Sequence, residues 1–183
     1  MKVKIANWIT ELEANTALFK QQFGGLSEEV LQWKPNPQSW SIAQNIDHLI
    51  TVNGTYYPIV EQVRAGTYTL PWIARFSFLT RFFGNFIYNA SGPDRSKKIK
   101  TFSVWEPSKS EIEGDILTRF EKHQADFAQF ISACEDLLEK GLVISSPANK
   151  NIVYTLERAF DIIVVHEKRH FAQAKEVKDL MQG

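Results

Sequence analysis

Four stretches of this chain repeat apolar residues at steps of three and four, the spacing that places them on one face of an α-helix. The first predicted helix runs from about Lys2 to Phe23 and ends at Gly24-Gly25, a favourable helix exit. The others span roughly 41–65, 108–141 and 154–181. With no strong strand pattern and no internal repeat, the sequence predicts an all-α four-helix bundle in a single domain, 1–183.

Local signals support the helix boundaries. Pro35 and Pro37 interrupt the chain before a capping serine in Ser39-Trp40-Ser41, and Ser108-Lys109-Ser110-Glu111 has the form of a capping box for the third helix. The first helix is expected to turn these apolar residues inward: Ile5, Ile9, Leu12, Leu18 and Phe19. Leu26 to Leu31 is predicted to form a short turn between the first two helices.

A long crossover, about 66–107, separates the second and third helices. Between Gly66 and Trp105 it has six basic residues against one acid, so this segment is net +5 and the rest of the neutral chain is net −5. Arg75 and Arg81 interrupt its aromatic run, which excludes a spanning segment. Two interpretations stay open: a helical cover with a solvated basic loop, or an aromatic, basic lip that admits an anionic substrate or rests on a membrane surface.

Composition narrows the function classes. The 21 basic residues balance the 21 acidic ones, which argues against a nucleic-acid partner. The single cysteine, Cys134, excludes an internal disulfide and is predicted to be a small buried residue. The N-terminus lacks the apolar run of a signal peptide, so we expect a cytoplasmic protein.

The candidate chemistry lies in three histidines. His166 and His170 are four residues apart on the apolar face of the fourth helix, and His48 lies on the second helix about two turns from its start. Buried imidazoles need partners for their nitrogens, either hydrogen bonds or a metal ion. If the two helices are antiparallel, His48 meets the pair and completes a three-histidine divalent-metal site. His123, among charged residues, is predicted to lie on the surface.

The letters His166-Glu167-Lys168-Arg169-His170 also fit the H-E-x-x-H pattern of zinc peptidases, with Glu167 as general base. The positions for a downstream third ligand are Gln173 and Glu176, which argues against a peptidase. Glu167 is therefore either a base or a solvent-facing residue beside a ligand. Asn45, one turn before His48, and Gln173 are candidates to orient a ligand, and Tyr56 and Trp105 are candidate pocket walls.

The proline-rich turn, Ser39-Trp40-Ser41-Ile42, the helix with His48, the long crossover and the final H-x-x-x-H followed by Gln173 together resemble the DinB-like superfamily, also described as YfiT-like metal-dependent hydrolases. The resemblance covers nearly the whole chain, including 26–31 and 98–102. It implies an up-down-down-up bundle, often a homodimer, that holds Zn²⁺ or Ni²⁺ through His48, His166 and His170.

The resemblance leaves the reaction open between hydrolysis and transfer of a low-molecular-weight thiol, both on small molecules. Three protein ligands with one open coordination position are typical of a catalytic rather than a structural zinc site. The competing hypothesis is a non-catalytic helical module whose metal is structural or absent, with the aromatic crossover as its partner or dimer interface.

Overall fold

The computed structural model describes residues 1–93, 101–107, 112 and 114–182. Its long helices are amphipathic, and a two-stranded antiparallel hairpin precedes the last of them. The first predicted helix has the expected bounds, whereas the third begins at Ile116 rather than at Ser108. The elements are α1 Lys2–Phe23, α2 Glu28–Gln32, α3 Ile42–Gly54, α4 Tyr57–Arg64, α5 Ser77–Ser91, α6 Ile116–Ala133, α7 Glu135–Glu139, β1 Val143–Ser146, β2 Asn149–Thr155 and α8 Leu156–Gln182.

Side-chain contacts give the directions of α1, α3 and α8. Trp8 near the start of α1 donates to Asp161 near the start of α8 at 2.9 Å, and Lys178 near the end of α8 donates to the backbone of Gln22 at 2.7 Å, so α1 and α8 are parallel. Helix α3 runs the other way. Asn45 near its start contacts His170 in the second half of α8, and Tyr56, just beyond its end, contacts Tyr154, just before the start of α8. Helix α3 is therefore antiparallel to α8.

Helix α6 runs in the same direction as α3 and α4. Asp47 in α3 contacts Arg119 at the start of α6, and Arg64 at the end of α4 contacts Asp136, just beyond the end of α6. The four main helices α1, α3, α6 and α8 thus run up, down, down and up. This order confirms the predicted bundle topology. Because α3 and α6 run in the same direction, a long connection must return the chain between α4 and α6.

The core is divided into two apolar clusters. One gathers the first half of α1, the end of α6 and the first half of α8, and the other gathers the ends of α1 and α8 with α3 and the start of α6. Between them lies a polar layer of fully or nearly fully buried side chains from all four helices: Asn15, Asn45, His48, Asn53, Gln124, Glu167 and His170. The metal candidates therefore lie at mid-height in the bundle.

Two predicted helices are interrupted. The stretch 41–65 forms α3 and α4 with a break at Thr55–Tyr56, because Pro58 lacks an N–H and its ring would clash with the carbonyl of Gly54 in a continuous helix. The stretch 108–141 likewise divides at Cys134 into α6 and α7. The predicted capping box at 108–111 lies outside the described residues, and Asp115 caps α6 by accepting from two backbone N–H groups at 3.1 Å.

The prediction of a chain without strands was wrong at one place. Strands β1 and β2 pair antiparallel, from Val143 opposite Thr155 to Ser146 opposite Asn149. Ile144 and Val153 are fully buried, and Ile144 belongs to the apolar cluster that contains the first halves of α1 and α8, so the hairpin closes one end of that cluster. The fourth helix begins at Leu156 rather than at Tyr154 because Tyr154 belongs to the strand.

The described part of the crossover contains a helix, α5, that covers one side of the bundle. Helix α5 packs on α8 and β2, and at their contact a Cβ on Gly84 would lie 2.9 Å from Arg158 Cγ. The basic residues Arg95, Lys97, Lys98 and Lys100 lie outside the described residues. No helix in the described part of the chain is long and apolar enough to cross a membrane.

Three individual predictions have different outcomes. Cys134 is buried as expected, and burial raises the pKa of its thiol to about 11, which leaves it unreactive at neutral pH. Leu18 was predicted to face inward, but it is exposed because it lies one step away from the stripe that carries Phe19. His123 is half-buried rather than on the surface, and its ring stacks on Phe127 at 5.8 Å.

His123 gives an expected pH dependence of stability. Burial lowers the pKa of His123 to about 4, partly offset by Asp126, whereas the unfolded chain takes up this proton near 6.5. Between these values the unfolded state binds more protons, so stability should fall as pH decreases from about 6.5 to about 4, by at most about 1.4 kcal/mol per pH unit for this group. His123→Phe, which keeps a ring beside Phe127, should show a smaller loss of melting temperature on acidification. An unchanged pH profile would contradict this assignment.

Candidate metal centre

The antiparallel packing of α3 on α8 brings the three predicted histidines together. His166 Nε2 lies 3.4 Å from His48 Nε2 and 3.0 Å from His170 Nε2, and one ligand atom from each of the three residues can be chosen so that all lie within 4.8 Å of one another. His48 and His170 are buried and His166 is half-buried. The i, i+4 pair on one helix and the single residue on its neighbour therefore face a common point.

Hydrogen bonds on the far side of two rings fix their orientation. His48 Nδ1–H donates to the Trp105 carbonyl at 2.7 Å, and His170 Nδ1–H donates to Asn45 Oδ1 at 2.9 Å. Asn45 is itself held, because its Nδ2 donates to the Ser41 carbonyl at 2.8 Å. With the proton on Nδ1 in both rings, each Nε2 directs a lone pair towards the shared point.

Their environment keeps the His48 and His166 rings neutral. Burial lowers the pKa of His48 to about 4, although its bond to the Trp105 carbonyl acts in the opposite direction. The pKa of His166 is well below its usual range, first because of burial and then because of the nearby His48 and Arg169. Neutral imidazole is the form that binds a metal ion.

The geometry fits a divalent transition metal. Two imidazole nitrogens at zinc-ligand distances of 2.0–2.1 Å in a tetrahedral site lie about 3.3 Å apart, close to the two separations seen here. If His166 carried a proton on Nε2, that N–H could donate a hydrogen bond to only one of the two neighbouring Nε2 atoms. A bound cation would accept the lone pairs of all three nitrogens. Three imidazoles suit zinc and nickel equally well, so the donors do not choose the ion.

A cavity of about 510 Å³ adjoins the three rings. Val52 and Tyr56, one and two turns after His48, form one wall of the cavity. The hydroxyl groups of Tyr56 and Tyr154, which also lines the cavity, share a hydrogen bond with their oxygens 3.0 Å apart. The side towards the crossover is lined by Trp105 and by residues of α5. The two predicted wall residues, Tyr56 and Trp105, thus both line the cavity, as does Gln173.

Comparison with known proteins places this architecture in a family. The sequence model of the DinB superfamily matches residues 11–174. The chain belongs to the DinB superfamily. A Bacillus subtilis (strain 168) protein named Uncharacterized protein YuaE is 28% identical over 162 residues, which cover 86% of this chain and 89% of YuaE.

One solved structure shares the DinB fold with this chain. It is described as "YfiT from Bacillus subtilis is a probable metal-dependent hydrolase with an unusual four-helix bundle topology". The similarity has a TM-score of 0.59 at 17% sequence identity and covers 100% of this chain and 90% of YfiT. At this identity the match supports the DinB bundle architecture derived above from the contacts.

Glu167 occupies a different part of this DinB bundle from the one expected. Its side chain is 0% exposed, so the expectation that it faces solvent was wrong, and it is not among the residues that line the cavity. The carboxylate accepts hydrogen bonds from three amides: Asn15 at 3.1 Å, Asn53 at 3.0 Å and Gln124 at 3.0 Å. Each of the four main helices contributes one member of this cluster.

Sequence reasoning missed the three amides around Glu167. Asn15 lies on the same stripe as Leu12 and Phe19, and a polar residue at such an apolar position is a signal for a buried partner. Burial raises the pKa of Glu167 to about 7, although all three amides act to lower it. The cluster anchors α8 immediately beside His166.

Asn45 gives an expected effect on metal affinity. It touches His170 on the side away from the shared point, so its loss leaves the three donors in place but removes the partner that fixes the ring tautomer. Asn45→Ala should weaken Zn²⁺ or Ni²⁺ binding by roughly 10- to 100-fold. A chelator competition titration measures this change, and Gln38→Ala, which removes an exposed amide that also lines the cavity, is the matched control. An affinity within twofold of the native protein would contradict the orienting role.

Proposed function

We propose that this protein is a metal-dependent enzyme that acts on a small molecule, with His48, His166 and His170 as the ligands of one Zn²⁺ or Ni²⁺ ion. The observation that carries the proposal is the convergence of the three rings, in which His166 Nε2 lies 3.4 Å from His48 Nε2 and 3.0 Å from His170 Nε2 and one ligand atom of each residue lies within 4.8 Å of the others. Three protein donors leave one coordination position for a water, thiol or substrate, the arrangement of catalytic sites.

The residues of the chain support this chemistry in separate ways. Asn45 and the Trp105 carbonyl hold two rings, and Trp40 stacks on His170 at 5.6 Å with an interplanar angle of 15°, which restricts ring rotation. Arg169 is a cation in the cavity wall and donates to the Gly92 carbonyl at 3.1 Å. Its charge favours a substrate that carries an anionic group near the histidines.

When bound, the metal supplies a Lewis acid that lowers the pKa of a water or thiol in the open position and so gives a nucleophile near neutral pH. The description of YfiT as a probable metal-dependent hydrolase makes hydrolysis the first reaction to assay. Transfer of a low-molecular-weight thiol is the second.

The geometry is less favourable to the peptidase alternative. That mechanism needs Glu167 to take a proton from a water beside the histidines, yet its two oxygens are engaged by three amides away from the cavity lining. The general-base role of Glu167 stays a prediction, and we propose that its carboxylate has a structural role instead.

The proposal is tested by assaying Zn²⁺-loaded and Ni²⁺-loaded protein on small esters and amides, and on an electrophile with a low-molecular-weight thiol. We expect turnover that needs the metal and is lost in His166→Ala. His123→Ala, which changes the one histidine outside the cluster, should keep the activity. Turnover that persists after complete removal of metal by a chelator would contradict the proposal.

A further inference from the structure

Helix α5 exposes an aromatic face to solvent. Phe78, Phe82 and Phe86 follow one another at steps of four residues and are 65%, 61% and 60% exposed. Trp72 and Phe76, in the turn before α5, extend this surface, with ring centroids 5.7 Å apart. These five side chains form one contiguous face, which we call the aromatic face, rather than the scattered apolar residues of an ordinary surface.

The aromatic face is not the side by which α5 packs on the bundle. Thr80 and Gly84 are the buried residues of this helix, and Gly84 approaches Arg158 and Tyr154 so closely that a Cβ would lie 2.9 Å and 3.3 Å from their side chains. On the helical wheel these two residues lie opposite Phe82. The helix therefore already has its packing partner, and the aromatic face is additional apolar surface.

The surroundings of the aromatic face are positively charged. Arg75 and Arg81 are exposed beside it, and residues 66–93 contain no acid at all. Residues 66–93 therefore carry two positive charges and no negative charge, and the rest of the neutral chain is net −2. A negatively charged surface would attract this side of the molecule and repel the remainder, which orients the protein.

We propose that α5 and the turn before it dock the protein on an anionic phospholipid surface, with the aromatic face in the headgroup region. Exposed aromatic rings flanked by arginines are the composition of helices that lie in a membrane interface. Binding of this kind needs no spanning segment, in agreement with the helices of the described part of the chain.

A second copy of the chain fits the aromatic face less well than a lipid surface does. In a two-fold contact the same patch would face itself, so Arg75 and Arg81 of both copies would meet where residues 66–93 supply no acid. Anionic headgroups supply the missing negative charge. Because Ile87, Ala90 and Ser91 on another side of α5 line the cavity, docking would also place the cavity close to the bilayer.

The test is flotation of the full-length protein with vesicles of phosphatidylcholine alone, or of equal parts phosphatidylcholine and phosphatidylglycerol. We expect binding to the anionic vesicles and at least about tenfold weaker partitioning to the neutral ones. Salt at about 1 M, where the Debye length is about 3 Å, should weaken the anionic binding. Phe78→Ser/Phe82→Ser/Phe86→Ser and Arg75→Glu/Arg81→Glu should each reduce it about tenfold or more.

Matched controls change the same residue classes elsewhere. Val3→Ser/Leu18→Ser removes exposed apolar side chains of α1, and Lys2→Glu/Lys150→Glu reverses two exposed charges, and both should bind vesicles like the native protein. Circular dichroism and metal content should be unchanged in all four variants. A failure of the membrane-docking proposal is therefore distinguishable from a failure of the proposed metal site. Equal binding to both vesicle types would overturn the proposal, as would a concentration-dependent dimer that the triple phenylalanine variant abolishes without any vesicle binding.

Discussion

Replacing His48 with alanine is expected to lower the affinity for Zn²⁺ or Ni²⁺ by more than roughly 100-fold, because it removes one of only three protein donors. Loss of a residue that only hydrogen-bonds a ligand, such as Asn45, lowers metal affinity by at most about that factor. The remaining pair, His166 and His170, keeps one contact of 3.0 Å but loses the donor from the second helix. Chelator competition gives the affinity, and circular dichroism shows whether the bundle remains folded. We expect a folded protein without stoichiometric metal.

His123→Ala is the control for this result, since it also removes one histidine but from outside the cluster. It should retain one metal ion per chain. Retention of stoichiometric metal by His48→Ala at native affinity would show that the ion binds elsewhere, and the three-histidine assignment would then be wrong.

Glu167→Ala is expected to destabilise the fold by about 4 kcal/mol, one of the largest single effects in this chain. The change removes the acceptor of three buried amide donors from α1, α3 and α6, and it leaves these groups without partners in the middle of the core. Urea unfolding monitored by circular dichroism measures the difference in free energy of unfolding. The metal ligands themselves are untouched.

A second substitution keeps this test informative if Glu167→Ala does not fold. Glu167→Gln retains one acceptor oxygen, and Asn53 Oδ1 and Gln124 Oε1 have no hydrogen-bond partner, so a rotated amide at either residue can accept from the new N–H₂. We expect a loss of about 1–2 kcal/mol. Glu121→Ala, which breaks an exposed pair with Lys20, should change stability by less than about 1 kcal/mol. Equal effects of the buried and exposed substitutions would contradict the structural role.

The parts of the site that could be predicted from the sequence are those set by helical periodicity. The i, i+4 spacing of His166 and His170 fixes their common face, and the apolar stripe of the helix fixes which way that face turns. His48 could be added only by assuming antiparallel helices, and the contacts of α3 with α8 confirm that assumption. Helix α1 has the predicted bounds because no proline or glycine interrupts it.

The missed features depend on interactions that periodicity does not encode. The break before α4 has a local cause in Pro58, which the apolar pattern of 41–65 conceals. The hairpin has a weak signal in the β-branched pair Ile152-Val153, but the pairing of Val153 with Ser145 requires knowledge of the turn between the strands. The amide cluster around Glu167 joins residues more than one hundred positions apart in two of its three contacts, so only the folded bundle reveals it.

The most direct test of the metal centre is elemental analysis of protein purified without a polyhistidine tag, combined with X-ray absorption at the edge of the ion found. We expect about one Zn²⁺ or Ni²⁺ per chain, with three imidazole nitrogens and one further light atom as ligands. Absence of stoichiometric binding after reconstitution with either ion, or a ligand set without three imidazoles, would contradict the three-histidine metal site and leave His48, His166 and His170 as hydrogen-bonded core residues.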